Sequence, residues 1–308
     1  MTALILASAQ TNPPWSWNLV NDARDMWSYP FMVNAFRAGS IVAVVAGVVG
    51  WFMVLRKQTF AGHTLAVSAF PGATAAALLG ISATAGYFAF SIAAAVAIAA
   101  VSRPSRTKGF SEESAVVGTV QAFALACGYL FVYLSKGFLN SVTAPLFGSS
   151  FAITNDDVVT LALVGLVVLL TMAVIGRPLF FSSVDADVAD ARGVGVRGLG
   201  VLFLVLLGAA TAEASQIAGA LLVFSLLVMP AATAQRLTAR PMLSLALTVV
   251  IGLIATWAGL TLAYYQLYPL GFCISTFSFA GFLLARLAAL PRRRPRRATI
   301  AEPIGSPA

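Results

Sequence analysis

VVTLALVGLVVLLTMAVIG, residues 158–176, contains no charged residue and no proline. As an α-helix, a run of this length extends about 28 Å, close to the roughly 30 Å hydrocarbon core of a bilayer. It is apolar on every side, so it has no face to turn toward water. The stretch before it, TNDD at 154–157, reads as a helix start. Thr154 is a suitable N-cap, and Asp157 three residues on completes a capping box. Arg177 follows directly, where a span meets the polar interface.

The rest of the chain repeats this pattern. Of its 308 residues, 59% are hydrophobic and only 10% are charged, well below the roughly one quarter of a soluble domain. Apolar runs lie near 34–55, 60–79, 82–101, 113–135, 158–176, 198–212, 215–234, 242–264 and 271–290. The run at 198–212 is short, and LGISATAG alone divides 60–79 from 82–101. The expected fold is therefore an all-α, polytopic membrane bundle of eight or nine spans, with one piece re-entrant or broken. An N-terminal segment, 1–33, precedes the transmembrane domain at 34–290, and a basic tail, 291–308, follows it.

The net charge of +8 is not a nucleic-acid footprint, because the cations sit between apolar runs. Arg56 and Lys57, then Arg103, Arg106 and Lys108, then Arg177, Arg192 and Arg197, then Arg236 and Arg240 occupy alternate gaps, and RRRPRR at 292–297 ends the series. With nine spans these gaps share one side, which the positive-inside rule makes cytoplasmic. Lys136 alone stands in the opposite loops. The N-terminus falls outside, and its Trp-rich segment WSWNLVNDARDMWSYPF reads as an interfacial helix. MTALILASAQ lacks a basic n-region and does not read as a cleaved signal. The tail reads either as an orientation and lipid-contact element or as an end with no role beyond topology. Ser111, ahead of Glu112 and Glu113, marks another helix start. Cys127 and Cys273 both lie in apolar runs and do not suggest a disulfide framework.

Soluble-enzyme motifs give little. GVGVRG at 193–198 fits G-x-G-x-x-G, but it lies in a loop between membrane runs and the sequence downstream of it is apolar. No P-loop is present, so this chain does not bind ATP by that device. SSVDADVADARGVGVRG, 182–198, is the largest cytoplasmic loop. Its acids and glycines suit either a solvated connector or a short amphipathic helix docking a cytoplasmic partner. Two ionisable residues stand out beyond the loop edges: His63 in the second run and Glu213 where the sixth and seventh runs meet. Such groups are costly in a membrane and usually functional. His63 reads as an interfacial histidine or a cargo contact, and Glu213, in TAEASQIAG, as a turn residue or a pathway carboxylate. Imidazole with carboxylate suits a borderline divalent ion such as zinc.

LRKQTFAGHTLAVSAFPGATAAALLG and QIAGALLVFSLLVMPAATAQRLT resemble segments of the permease subunits of ATP-driven importers for zinc, manganese and iron. PLFGSSFAITNDDV, 145–158, and ADVADARGVGV, 186–196, match further segments in the same order, so that the resemblance covers about 34–290. It implies a permease fold related to that of the cobalamin and siderophore importers. It also implies a homodimer with a central pathway, an ATP-binding cassette partner, and an extracytoplasmic solute-binding protein. ATP would be hydrolysed on the partner, no cofactor would be held permanently, and the cargo would be a divalent metal ion (Zn, Mn or Fe). The location would be the bacterial cell membrane.

On this resemblance the 182–198 loop is the ATPase coupling helix, through Asp185, Asp187, Asp190, Ala191, Gly193 and Gly195. Pro71, Gly72 and Pro230 mark breaks in pathway helices. His63 and Glu213 are the metal-contacting candidates. The family usually carries an Asp and, one helical turn later, a His; here His63 and Val67 stand at those positions. The alternatives are import of a metal chelate or another small solute by the same fold, and an integral membrane enzyme.

Overall fold

The computed structural model describes residues 19–101, 110–135, 153–220, 223–266 and 268–289. The basic tail, the 102–109 gap with Arg103, Arg106 and Lys108, and Lys136 lie outside them. The described residues form helices and no strand. In chain order these are α1 (Leu19–Ser28), α2 (Pro30–Leu55), α3 (Thr59–Val67), α4 (Ala69–Leu79), α5 (Ala83–Val101) and α6 (Phe110–Leu134). There follow α7 (Asn155–Val184), α8 (Ala186–Ala191), α9 (Val196–Ala218), α10 (Val223–Leu237), α11 (Pro241–Gln266) and α12 (Leu270–Ala289).

Seven of these helices are long and apolar enough to cross a membrane: α2, α5, α6, α7, α9, α11 and α12. Two further runs are shorter or interrupted. The run at 60–79 is divided at Ser68 into α3 and α4, and α10 has 15 residues. The division has a local cause. Pro71 has no N–H to give the carbonyl of Val67, one turn back, so the helical ladder loses a bond at that level. Ser68 sits at the joint, and its hydroxyl donates to the Thr64 carbonyl at 2.8 Å. Pro230, expected as another break, lies inside α10, which remains helical through it.

The short run at 198–212 is longer than its hydropathy indicated. α9 continues to Ala218 and ends at Gly219, whose φ of 79° suits glycine. TAEASQ is therefore helical, and Glu213 is not a turn residue. The composition hid this because Thr, Ser and Gln on the buried side of a helix lower hydropathy without breaking the helix. At α7 the expected capping box is present: Thr154 Oγ1 accepts from the Asp157 N–H at 3.2 Å, and the Thr154 N–H donates to Asp157 Oδ2 at 3.1 Å. Thr154→Ala should cost about 1 kcal/mol. That is about 2 °C in the thermal unfolding midpoint of the purified protein, with Thr154→Ser unchanged. Ser111 falls just inside α6 rather than ahead of it.

α2 and α9 are the inner helices, each two-thirds buried over its apolar window, whereas α6 and α7 are mostly left uncovered by the rest of the chain. α2 packs on α11, α10, α7 and α9, and α9 also packs on α5. Close approach is bought by small residues. The Cβ of a side chain at Gly86 of α5 would collide with the Gly72 carbonyl oxygen of α4, and one at Gly72 with the Gly86 carbonyl. The interior polar groups mostly find partners. Trp51 Nε1 donates to Ser244 Oγ at 3.0 Å, and Ser91 Oγ donates to the Leu65 carbonyl at 3.2 Å.

Candidate functional site

The polar ends of the helices fix the orientation. Arg56 closes α2, and its guanidinium Nη1 donates to Ser183 Oγ near the end of α7 at 3.2 Å. Trp51 stacks on Phe180, and its carbonyl accepts from Gln235 Nε2 near the end of α10 at 3.1 Å. The turns carrying Arg56 and Lys57, the segment with Arg192 and Arg197, and the end of α10 with Arg236 thus gather at one end of the bundle. This is the cytoplasmic end by the positive-inside rule.

The 182–198 segment crosses that end and contains a helix. Asp185 Oδ1 accepts from the Val188 N–H at 3.0 Å and caps α8. The far end closes in a Schellman arrangement: the Gly193 N–H donates to the Asp190 carbonyl at 2.9 Å, and the Val194 N–H donates to that of Ala189 at 3.0 Å. Gly193 takes φ 81°, which explains glycine there, and Gly195 caps α9. Ala189 is fully buried against the bundle, whereas Asp187, Asp190, Ala191 and Arg192 are exposed. Ala189 is the one buried residue of α8, and both acids of the helix are exposed.

His63 lies in α3, three residues after the expected start of its run. Its Nδ1 is buried and has no hydrogen-bond partner among the described residues. Its ring meets Phe224 of α10 edge-on, with centroids 5.2 Å apart. The next residue, Thr64, donates to Gln121 Oε1 of α6 at 3.0 Å, so α3 is fastened on both flanks. Val67, one turn beyond His63, is buried.

Glu213 is fully buried in α9, and neither carboxylate oxygen has a hydrogen-bond partner among the described residues. It faces α7 and α2. A Cβ at Gly165 would lie 3.1 Å from Glu213 Oε1, with Ile41 and Val45 methyl groups at similar distance. Gln216, one turn on, accepts from Thr84 Oγ1 at 3.0 Å, and its buried Nε2 has no partner among the described residues. His63 and Glu213 thus look toward different neighbours, α10 for the first and α2 and α7 for the second. Among the described residues no three His, Cys, Asp or Glu side chains group closely enough to hold a metal ion.

The comparisons with known proteins agree with this architecture. Residues 28–289 match the ABC 3 transport family. The chain belongs to that family. The manganese transport system membrane protein of Halalkalibacterium halodurans is 32% identical over 233 residues, covering 76% of this chain and 78% of the relative. The chelated iron transport system membrane protein of Yersinia pestis is 31% identical over 259 residues, covering 84% and 86%. Among solved structures, a chain of PsaBC from Streptococcus pneumoniae in complex with Fab superposes with a TM-score of 0.76 at 26% identity, covering 87% of this chain and 95% of that one. This ABC 3 protein is therefore a multi-pass membrane permease, and the membrane-enzyme alternative falls away.

Two features of the site had no clear sequence signal. The Arg56–Ser183 contact joins residues 127 positions apart, and Phe224 over His63 joins two different runs. Periodicity and spacing report only residues on the same helix.

Proposed function

We propose that this chain is the membrane-spanning subunit of an ATP-driven importer for a divalent metal ion of the manganese, iron and zinc class. Two copies form the pathway. ATPase subunits dock at the cytoplasmic end against α8, and a solute-binding protein delivers cargo from outside. The observation that carries the reading is the family match along nearly the whole bundle, with relatives named for manganese and for chelated iron transport. The capped, outward-facing acidic helix supports the docking part.

His63 and Glu213 are the residues proposed to meet the cation on its way. An imidazole nitrogen without a partner can serve as a ligand when neutral. A carboxylate kept in an aliphatic surround is a cost that function can explain. Import of a metal chelate is the second reading, favoured by Val67 in place of a second ligand beside His63.

Elemental analysis of cells expressing the complete system decides between them. Free manganese, iron or zinc should accumulate in an ATP-dependent way. His63→Ala and Glu213→Gln should each lower uptake on the order of tenfold, the scale on which even groups supporting a metal ligand matter. His63→Asp combined with Val67→His places two ligands on one helical face and should sharpen the cation dependence. Wild-type uptake in both single variants would remove the cation pathway and leave the chelate.

A further inference from the structure

The turn between α2 and α3 is short and unusual. The Arg56 N–H donates to the Phe52 carbonyl at 2.9 Å, Lys57 takes φ 58°, and the Gln58 N–H returns to the Met53 carbonyl at 3.0 Å. A non-glycine residue in the left-handed region is uncommon, and here it fixes the direction in which α3 leaves α2. Close behind, Gly62 of α3 sits against the Met53 side chain, where a Cβ would collide with its sulfur. The start of α3, and with it His63, is thus tied to the last turn of α2.

From this turn one side chain reaches both segments that flank α8. Arg56 Nε donates to Gln58 Oε1 at 3.3 Å, inside the turn itself. Its Nη1 donates to Ser183 Oγ at 3.2 Å, two residues before the Asp185 cap of α8. Its guanidinium carbon lies 5.4 Å from the ring centroid of Phe203, a fully buried residue of α9, and a Cβ placed on Gly200 would lie 3.6 Å from Nη2. Ser183 is itself held, since its hydroxyl also donates to the Leu179 carbonyl one turn back. One planar fork therefore joins the exit of α7, the entrance of α9 and the head of α3. Arginine suits this role better than lysine, because its fixed donors and flat face engage partners in several directions at once.

We infer that Arg56 is the positioning residue that transmits displacement of α8 to α3, coupling events at the cytoplasmic docking helix to the pathway around His63. α8 has only six residues and stands between two rigid helices, so a push on it moves the end of α7 and the start of α9 together. The guanidinium binds both to the α2–α3 turn, and that turn carries α3. The inference rests on the docking reading of α8 given above.

The test uses the complete importer, with permease, ATPase and solute-binding protein, reconstituted in liposomes. ATP hydrolysis, metal uptake and the metal concentration giving half-maximal uptake are measured together. Arg56→Gln should keep the ATPase bound and hydrolysing and leave the half-maximal concentration within twofold of wild type. Metal moved per ATP should fall at least tenfold. Arg56→Lys retains the charge but not the fork and should fall similarly. Ser183→Ala removes one arm and should lower the ratio about threefold, and it serves as the deciding variant if Arg56→Gln does not fold.

Wild-type coupling in Arg56→Gln, or in Ser183→Ala where it is the deciding variant, would overturn the inference. So would full recovery in Arg56→Lys. Loss of ATPase binding in Arg56→Gln would also overturn it, since that is the signature of a structural role. Failure of the docking reading shows up separately, as normal ATPase binding and coupling when the exposed acids of α8 are reversed.

Discussion

Gly86→Leu is expected to leave almost no monodisperse protein after extraction from the membrane. α4 and α5 form a hairpin whose helices meet backbone to backbone at Gly72 and Gly86. A Cβ on either residue would run into the partner's carbonyl oxygen, and one on Gly86 would also meet the Ala76 side chain. Neither obstacle is the flexible end of a side chain, so the helices must part. Extra carbons in a packed core usually cost about 1–3 kcal/mol, and a leucine against backbone lies beyond that range. In a bilayer, helices associate through close packing rather than through exclusion of water, so separation also removes the contact that holds the hairpin together. Gly86→Ala should be intermediate, lowering the unfolding midpoint while leaving some folded protein. The check is the folded yield and thermal midpoint of the three proteins in detergent. Equal yields would show that α4 and α5 do not pack as described.

The same hairpin shows what could be seen before the structure. Seven of the nine apolar runs became helices long and apolar enough to cross a membrane, because a bilayer demands length and apolarity, and both are properties of a single segment. The interruption at Ser68 was half visible: Pro71 announced a missing donor, but the residue at which the helix yields depends on the neighbouring turn. Pro230 gave the same signal without the same outcome, since α10 stays helical around it. Glu213 was visible as an unusual residue and misplaced by hydropathy, because buried polar groups in TAEASQ lower the score of a segment that is still helical.

Side-chain meetings between runs were not legible at all. Arg56 in the sequence is one basic residue among several at a span end, and only the folded bundle shows that it touches Ser183 and Phe203. The acids of the 182–198 loop were different. Their place before a Gly-rich turn allowed a short helix as one of two readings, and α8, capped by Asp185, is that helix.

Asp187→Lys with Asp190→Lys should abolish ATP-driven uptake while leaving the permease inserted and folded. Both side chains are exposed on α8, and neither is its cap, which is Asp185. The substitution therefore spares the helix: the Asp185–Val188 bond and the Gly193 and Val194 closures remain. What changes is the face offered to a partner, from two negative charges to two positive ones. An ATPase surface complementary to the acids would then meet like charge, which costs several kcal/mol at an interface. At about 1.4 kcal/mol per tenfold, that weakens docking by two or more orders of magnitude. Co-purification of the ATPase with the permease should be lost, and ATP-dependent metal uptake should fall to background. The thermal midpoint of the permease alone should stay within about 1 °C, because exposed charges far from other partners contribute little to stability. Asp187→Asn with Asp190→Asn removes the attraction without adding repulsion and should fall between. Intact co-purification and uptake in the lysine variant would show that the ATPase docks elsewhere. Loss of both together with a lower midpoint would instead place these acids among the groups that hold the bundle's cytoplasmic end.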